Sequence, residues 1–266
     1  MREIALRIDD VGASSKIYNQ YGKVYWELFG KSLPVAPFAN WFFFKRIKPF
    51  KRWAIYRELT AMEWNNIFSL LRKYNAKLTV GITASWVEPD SSLIPFPKKF
   101  PEEASKLKEG VEEGLVEIAH HGLTHCVLKD DLYKPRWFSS NRAYHREFYE
   151  WLPEEVHKKH IFEAMDILTS YFKADIVTFV PPGNVWCEMT EKYAFQSSLK
   201  FLNSLETTSP TGRESNGLIY IGNNNVIDFH DKEIVEKKIS WLEHRLLEVK
   251  EGNVAFCFVK EIGYGL

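Results

Sequence analysis

Short apolar runs recur along this chain at 4–8, 77–83, 115–118, 176–180, 218–221, 226–229 and 254–259, and each reads as a strand. One more short strand is expected near 204–206. The stretches between have helical spacing. Thr60-Ala61-Met62-Glu63 is a capping box that opens a helix to about Tyr74, with Met62, Ile67, Leu70, Leu71 and Tyr74 on one face. A charged helix should follow the proline-rich loop 89–101 and end at Gly114. Further helices are expected from Pro153 to Phe172, over 190–202 and over 232–249. Strands that alternate with helices imply a mostly parallel sheet, and some seven or eight strands at this length suggest a closed or distorted (β/α) barrel. The 266 residues suffice for one sizeable core, and no repeat, low-complexity tract or boundary divides 1–266, so it reads as a single domain.

Two connections are long for such a fold, 13–57 and 130–152. Within the first, 40–57 carries six basic residues and no acidic one, threaded with aromatics. Its rings could cap the barrel while its charges face water, or it could dock on an anionic or lipid-linked partner at a membrane surface. The second carries Tyr133, Trp137, Phe138, Tyr144, Phe148, Tyr149 and Trp151, which suits either a substrate lid or plain packing. His157 and His160, at i and i+3 on the following helix, read as a solvated face.

Charge narrows the choice of partners. Lys+Arg and Asp+Glu are 35 each, so no global field draws nucleic acid or membrane. An aromatic fraction of 15% with nine tryptophans suggests apolar or sugar-stacking surfaces beside the core. Cys126, Cys187 and Cys257 are odd in number and lack CxxC spacing, which suits a reduced, cytoplasmic protein with Cys126 and Cys187 as small core residues. The chain enters a strand at once, without an apolar signal core or a run of 18 apolar residues, so a cytoplasmic location is expected. Oligomeric state leaves no trace in the pattern.

The chemistry gathers where strands end. The run 115–118 empties into His120-His121-Gly122-Leu123-Thr124-His125. His121 and His125 are spaced so that two imidazoles can reach one metal ion, and Gly122 stands where a zincin would need its glutamate. The first strand ends in Asp9-Asp10. Val180-Pro181-Pro182-Gly183-Asn184 and Asp228-Phe229-His230 follow two later runs. Taken singly, these read as turn chemistry, a helix cap or a buried histidine. No Gly-x-Ser-x-Gly elbow, dinucleotide fingerprint or P-loop is present.

In this order the four motifs resemble the polysaccharide deacetylases of carbohydrate esterase family 4, the NodB-homology fold, from residue 4 to about 259. The resemblance implies a distorted (β/α) barrel of about seven strands with its motifs on the strands' C-terminal ends. Asp10, His121 and His125 would then bind one divalent metal, zinc first with cobalt or nickel as alternatives. Asp9 would act as general base and His230 as the acid that protonates the departing amine. Pro181, Pro182, Gly183, Asn184 and Trp186 would shape the substrate wall, and His120 would flank the site without binding metal. The implied substrate is an N-acylated sugar; the absent signal core and the basic-aromatic segment suit one that is nucleotide- or lipid-linked and drawn from surface-polysaccharide assembly.

Two departures stand out. The family's arginine before Pro-Pro is Val180 here, and Arg7, two positions from Asp9 on one strand face, is the candidate replacement. No Asp-x-x-Asp-Trp motif is visible, which leaves Asp228 and Asp231 as candidates to support the acid. Competing readings are a non-catalytic carbohydrate-binding relative, a hydrolase of another C–N bond including the metal-free type, and an iron(II) oxygenase. The intact Asp10, His121 and His125 speak against the metal-free version, Asp9 and His230 against the binding protein, and the β/α alternation against the oxygenase.

Overall fold

The computed structural model describes residues 2–19, 21–47, 50–51, 57–205 and 211–265; part of the 40–57 segment and Glu206 lie outside them. The chain is organised on β1 (Arg2–Val11). Its insertion holds α1 (Ser15–Tyr18), a hairpin of β2 (Tyr25–Leu28) and β3 (Lys31–Pro34), and α2 (Phe42–Arg46). Next come α3 (Ala61–Tyr74), β4 (Leu78–Ile82), a second hairpin of β5 (Ser85–Val87) and β6 (Leu93–Pro95), α4 (Phe96–Lys99), α5 (Pro101–Glu112) and β7 (Val116–His120). The second half runs through α6 (Glu154–Phe172), β8 (Thr178–Phe179), α7 (Glu188–Gln196), β9 (Phe201–Asn203), β10 (Glu214–Ser215), β11 (Leu218–Ile221) and β12 (Val226–His230). It closes with α8 (Asp231–Lys237), α9 (Ile239–Lys250), β13 (Val254–Cys257) and α10 (Val259–Tyr264).

Among the described residues, nine strands form the main sheet in the order β10-β11-β9-β8-β7-β4-β1-β12, with β13 also paired to β1. The pairings are parallel apart from β10 with β11. This is the mostly parallel α/β architecture expected. The barrel is distorted: among the described residues, no strand ladder joins β11 to β12. Asn203 spans that region instead, its Nδ2 donating to the Ile221 carbonyl at 2.7 Å while its Oδ1 accepts from Arg7.

Alternation along the strands separates two interiors. Leu6, Ile8, Leu78, Val80, Ile82, Val116 and Ile118 belong to the main core, together with Trp64, Ile67, Phe68 and Leu71 of α3 and Ile161 and Leu168 of α6. The intervening positions Arg7, Asp9, Thr79 and Glu117 are buried and polar. A smaller apolar cluster of Ala5, Phe201, Ile221, Val226, Val259 and Ile262 fills the floor. Parallel register then sets the opposite edge: Asp9 pairs with His230, Ile82 with His120, and His120 with Phe179.

Several expectations needed correction. The capping box at Thr60 and Glu63 forms, but Met62 is exposed while Trp64 and Phe68 are buried on the core face. A side chain in the first turn points back toward solvent, and period alone misses that. The helix over 190–202 stops at Gln196, and Phe201–Asn203 is strand, the backbone having turned through Ser198 at φ 76°. The helix over 232–249 is broken at Lys238, φ 69°, into α8 and α9, and the terminal run yields α10 after Cys257. His157 and His160 are buried, because the 130–152 segment folds over their face. His157 bonds Thr190 Oγ1 at 2.9 Å and the Tyr149 carbonyl at 3.2 Å.

Candidate metal centre and catalytic cavity

In a regular strand Asp9 and Asp10 would point to opposite faces. Here the β1–β4 register shifts between Ile8 and Val11, and Asp10 sits in the left-handed region at φ 67°. This bulge turns both carboxylates toward the same cavity. A buried lysine holds it: Lys16 Nζ donates to the Asp10 carbonyl at 2.6 Å and to Asp231 Oδ2 at 2.5 Å. Burial would lower Lys16, but Asp231, Glu58 and Asp10 outweigh it and raise the ammonium. Burial pushes Asp231 up to about 8 against the pull of Lys16.

From the end of β7 the chain turns sharply at Gly122, φ 77°, where any Cβ would lie 2.1 Å from Glu147 Oε2 and 2.6 Å from Pro182 Cγ. His125 follows at φ 55°. Glu147 fixes this loop. Its buried carboxylate accepts backbone N–H groups from Leu123 at 2.9 Å, Thr124 at 3.2 Å and His125 at 2.8 Å, and bonds His160 Nδ1 at 2.7 Å. Burial alone would raise Glu147, yet His160 and these amides hold it below its ordinary value.

The loop brings the two imidazoles to Asp10. His121 Nε2 lies 3.3 Å and His125 Nε2 3.0 Å from Asp10 Oδ1, and ligand atoms of the three residues all fall within 4.8 Å of one another. Their far nitrogens are engaged. His121 Nδ1 faces the Val180 carbonyl at 2.7 Å, and His125 Nδ1 lies 3.1 Å from Ser15 Oγ. A carbonyl only accepts, so His121 Nδ1 carries a proton, and a neutral ring leaves its Nε2 lone pair aimed at a carboxylate oxygen. Two acceptors so placed repel unless a cation lies between them. His125 Nε2 faces the same carboxylate oxygen at 3.0 Å.

Burial would raise the Asp10 carboxyl, but His125, His230 and the imidazole hydrogen bonds hold it well below the carboxylate range. Burial would lower His125, and Asp10 raises it instead. Both shifts describe a pocket that stabilises positive charge. Bonds of about 2.05 Å to a tetrahedral ion set neighbouring ligands about 3.3 Å apart. The donor set and its spacing therefore fit a divalent metal, with each imidazole oriented from outside as such sites require.

Beside this centre, Arg7 NH2 donates to Asp9 Oδ2 at 2.7 Å, and the wholly buried guanidinium also bonds Asn203. Asp9 Oδ1 is buried, with no hydrogen-bond partner among the described residues. The cavity is about 210 Å³ and is lined by Asp9, Asp10, His121, His125 and His230, with Pro181, Gly183 and Asn184 on one side. Tyr21, Arg142, His145, Arg146 and Lys232 complete the lining. Burial holds His145 at about 4, so it stays neutral. His230 is partly open at the end of β12, with Nδ1 3.8 Å from Glu233 Oε2, while Asp231 turns to Lys16.

Other singled-out residues stand back. Pro182 is buried behind Gly122, and Trp186 donates to Glu191 Oε1 at 2.9 Å, outside the lining. His120 is turned away to the Ile161 carbonyl at 3.2 Å, and burial lowers it to about 4. Glu147, Lys16, Ser15, Arg142 and Arg146 escaped the sequence reading. The one available signal was an acid, Glu147, set between Arg146 and Phe148 in an aromatic stretch.

The sequence profile of the polysaccharide deacetylase family matches residues 59–201, 143 of the 266. The chain belongs to that family, and sugar deacetylation is the general activity that membership supports. A search of curated protein sequences returns no match. Among solved structures, one assigned as a polysaccharide deacetylase from Mycobacterium smegmatis aligns at TM-score 0.55 and 12% identity, over 76% of each chain. The carbohydrate esterase family 4 domain of a multidomain xylanase, from the hindgut metagenome of Trinervitermes trinervoides, aligns at 0.50 and 12% identity, over 98% of this chain and 89% of that one. A 4-alpha-glucanotransferase from Thermococcus litoralis aligns at 0.51 and 13% identity, over 77% of this chain and 37% of its own. At these identities the likeness concerns the fold.

Proposed function

We propose that this protein is a divalent-metal-dependent hydrolase that removes an acetyl or other acyl group from the nitrogen of an N-acylated sugar. The observation that carries this reading is the meeting of Asp10 Oδ1 with two imidazole nitrogens at 3.0 and 3.3 Å, on a deacetylase fold. Asp10, His121 and His125 would hold the ion, zinc first, with cobalt and nickel as alternatives. When bound, it supplies Lewis acidity toward the acyl carbonyl and water.

The chain's own groups perform the proton transfers. Arg7 fixes one oxygen of Asp9, which leaves Oδ1 to accept the proton of the attacking water. His230, from the strand register-paired with Asp9, donates to the departing nitrogen, which leaves poorly unless protonated. Gly183 and Asn184 bound the sugar; Pro182 supports them from behind. Trp186 acts at one remove, by anchoring the following turn to Glu191.

The reading extends to surface-polysaccharide assembly in the cytoplasm, on a sugar linked to nucleotide or lipid. Exposed rings on the insertion and its neighbour support a peripheral membrane contact: Phe29 at 102%, Phe43 at 58%, Trp137 at 60% and Phe138 at 77% of full exposure. Among the described residues, no helix is long and apolar enough to cross a membrane. Elemental mass spectrometry of the wild type and His121→Ala tests the core of the proposal. One equivalent of transition metal that the variant lacks, followed by acetate release from N-acetylated sugars, supports it. A wild type that holds no metal and takes up none on soaking overturns it.

A further inference from the structure

We infer that the site receives a single N-acylated sugar, free or at the very end of a larger molecule, and excludes an internal unit of a polysaccharide. The metal-dependent hydrolase proposed above is the premise for the reacting end, and the walls of the cavity carry the rest. An internal unit has a neighbouring sugar on two sides. It reaches a metal centre only along a trough that leaves the site in two directions, whereas a terminal unit needs one.

Contacts join the elements around the cavity in succession. Past the end of β12, Asp231 Oδ2 accepts from Lys16 Nζ of the first long connection at 2.5 Å. That connection meets the 130–152 segment twice: Asn141 Nδ2 donates to the Tyr18 carbonyl at 3.3 Å, and the Arg142 guanidinium lies 5.1 Å over the Tyr21 ring. The same segment crosses to the loop after β8, where a Cβ on Gly183 would fall 2.7 Å from Arg146 Cγ. Asn184 of that loop then accepts at Oδ1 from Ser204 Oγ at 2.8 Å and from the Leu205 N–H at 3.0 Å, just past β9. Among the described residues, these contacts run from β12 through β1 and β8 to β9. At most one side is left for the remainder of a glycan.

These walls belong to the site itself, since Tyr21, Arg142, His145 and Arg146 of the two long connections all line the cavity. Asp9, Asp10, His121 and His125 are buried at its floor. At about 210 Å³ the cavity lies below the roughly 300–1,000 Å³ of sites that enclose larger ligands. It has room for one sugar and not for a run of them. Successive sugars would also need flat apolar faces to lie against. Among the described residues, Tyr21 is the sole Phe, Tyr or Trp of the lining, and the Arg142 guanidinium already covers one face of its ring. The exposed rings of Phe29, Phe43, Trp137 and Phe138 lie outside the lining.

The test reads access to the metal centre through binding, with zinc-ligating hydroxamates titrated calorimetrically into the zinc-loaded wild type. The probes are acetohydroxamate, a glucosamine with a hydroxamate in place of its acetamide, and glucosamine trimers with that group on one unit only. The single sugar should bind at least as tightly as acetohydroxamate. One of the two trimers modified on an end unit should bind like the single sugar. The trimer modified on its middle unit should bind about 100-fold or more weakly, because a second neighbour meets a packed wall. A middle-unit trimer within about threefold of the single sugar would overturn the inference.

Tyr21→Ala/Arg142→Ala lowers the wall between the two connections and should narrow the gap to about tenfold. An unchanged gap in a folded, zinc-retaining variant would also overturn the inference; if the variant fails to fold, the wild-type comparison decides alone. Failure of the premise looks different. A zinc-loaded protein that binds none of the hydroxamates removes the metal-dependent hydrolase and the single-sugar pocket together. Acetate released from internal units of an N-acetylglucosamine polymer as fast as from its ends leaves the hydrolase standing and removes the pocket alone.

Discussion

Glu147→Gln is the sharpest probe of how the histidine loop is held. The carboxylate is fully buried, and one oxygen receives Leu123 and His160 while the other receives His125, with Thr124 shared between them. Glutamine keeps the shape but turns one oxygen into a donor. The less costly orientation keeps the oxygen toward Leu123 and His160, and sets an amide N–H against the backbone N–H of His125. Leaving that buried donor unsatisfied costs about 1–3 kcal/mol, and the other bonds lose their charge assistance, so a total near 3 kcal/mol is expected. His125 holds φ 55° partly through the lost bond, so its ring should swing away from Asp10. Loss of such outer support typically weakens metal binding about 10- to 100-fold. Urea unfolding of the metal-free proteins reads the first quantity, and zinc competition against a chromophoric chelator reads the second. A variant within about 0.5 kcal/mol and twofold of wild type in the two assays would refute the clamp.

Other substitutions test neighbouring parts of the structure. Gly122→Ala adds a Cβ 2.1 Å from Glu147 Oε2 at φ 77°, and should cost about 3 kcal/mol or more in denaturant unfolding; a neutral result would mean the turn is not formed as described. Lys16→Met removes the partner of Asp231 and of the Asp10 carbonyl, and should cost about 3–5 kcal/mol. Adding Asp231→Asn should restore part of that in a double-mutant cycle, and strict additivity would contradict the pairing. Glu63, about 2 in the folded chain through its bond to Arg57 and held also by Thr60, has a depressed value. Its stabilisation is therefore present above the usual carboxylate pKa and lost as pH falls through about 2. The advantage over Glu63→Gln should be at most about 1 kcal/mol at pH 7, since the pair is partly exposed. That advantage should shrink below pH 4.5, and a pH-independent gap would disprove the linkage.

The sequence revealed most where local chemistry and the global fold agree. Thr60 and Glu63 cap α3 because a capping box needs only residues three apart, and buried parallel strands such as β4 show as short runs without a charged residue. Motif order was legible too, since a parallel sheet delivers the C-terminal ends of β1, β7, β8 and β12 to one edge whatever their separation in the chain. Positions set by a single dihedral were hidden. Nothing in the apolar pattern marks Lys238 or Ser198 as left-handed, and each ends a helix that periodicity would extend. Partners drawn from irregular segments were hidden as well: Glu147 meets four polar groups that all lie at least 13 residues away.

The paired aspartates show how much of a site can depend on such a position. Alternation alone places Arg7 with Asp9, and the structure has that pair at 2.7 Å. The same alternation would send Asp10 to the other face of the sheet, away from His121 and His125. It reaches them because its own backbone is left-handed at φ 67°, a conformation that aspartate tolerates better than most residues but that still needs support. Lys16 provides it by gripping the Asp10 carbonyl, and donates as well to Asp231, the residue after His230. The buried lysine thus ties the bulge of β1 to the end of β12. One contact network sets the carboxylate that meets the imidazoles and the strand end that carries the histidine beside them.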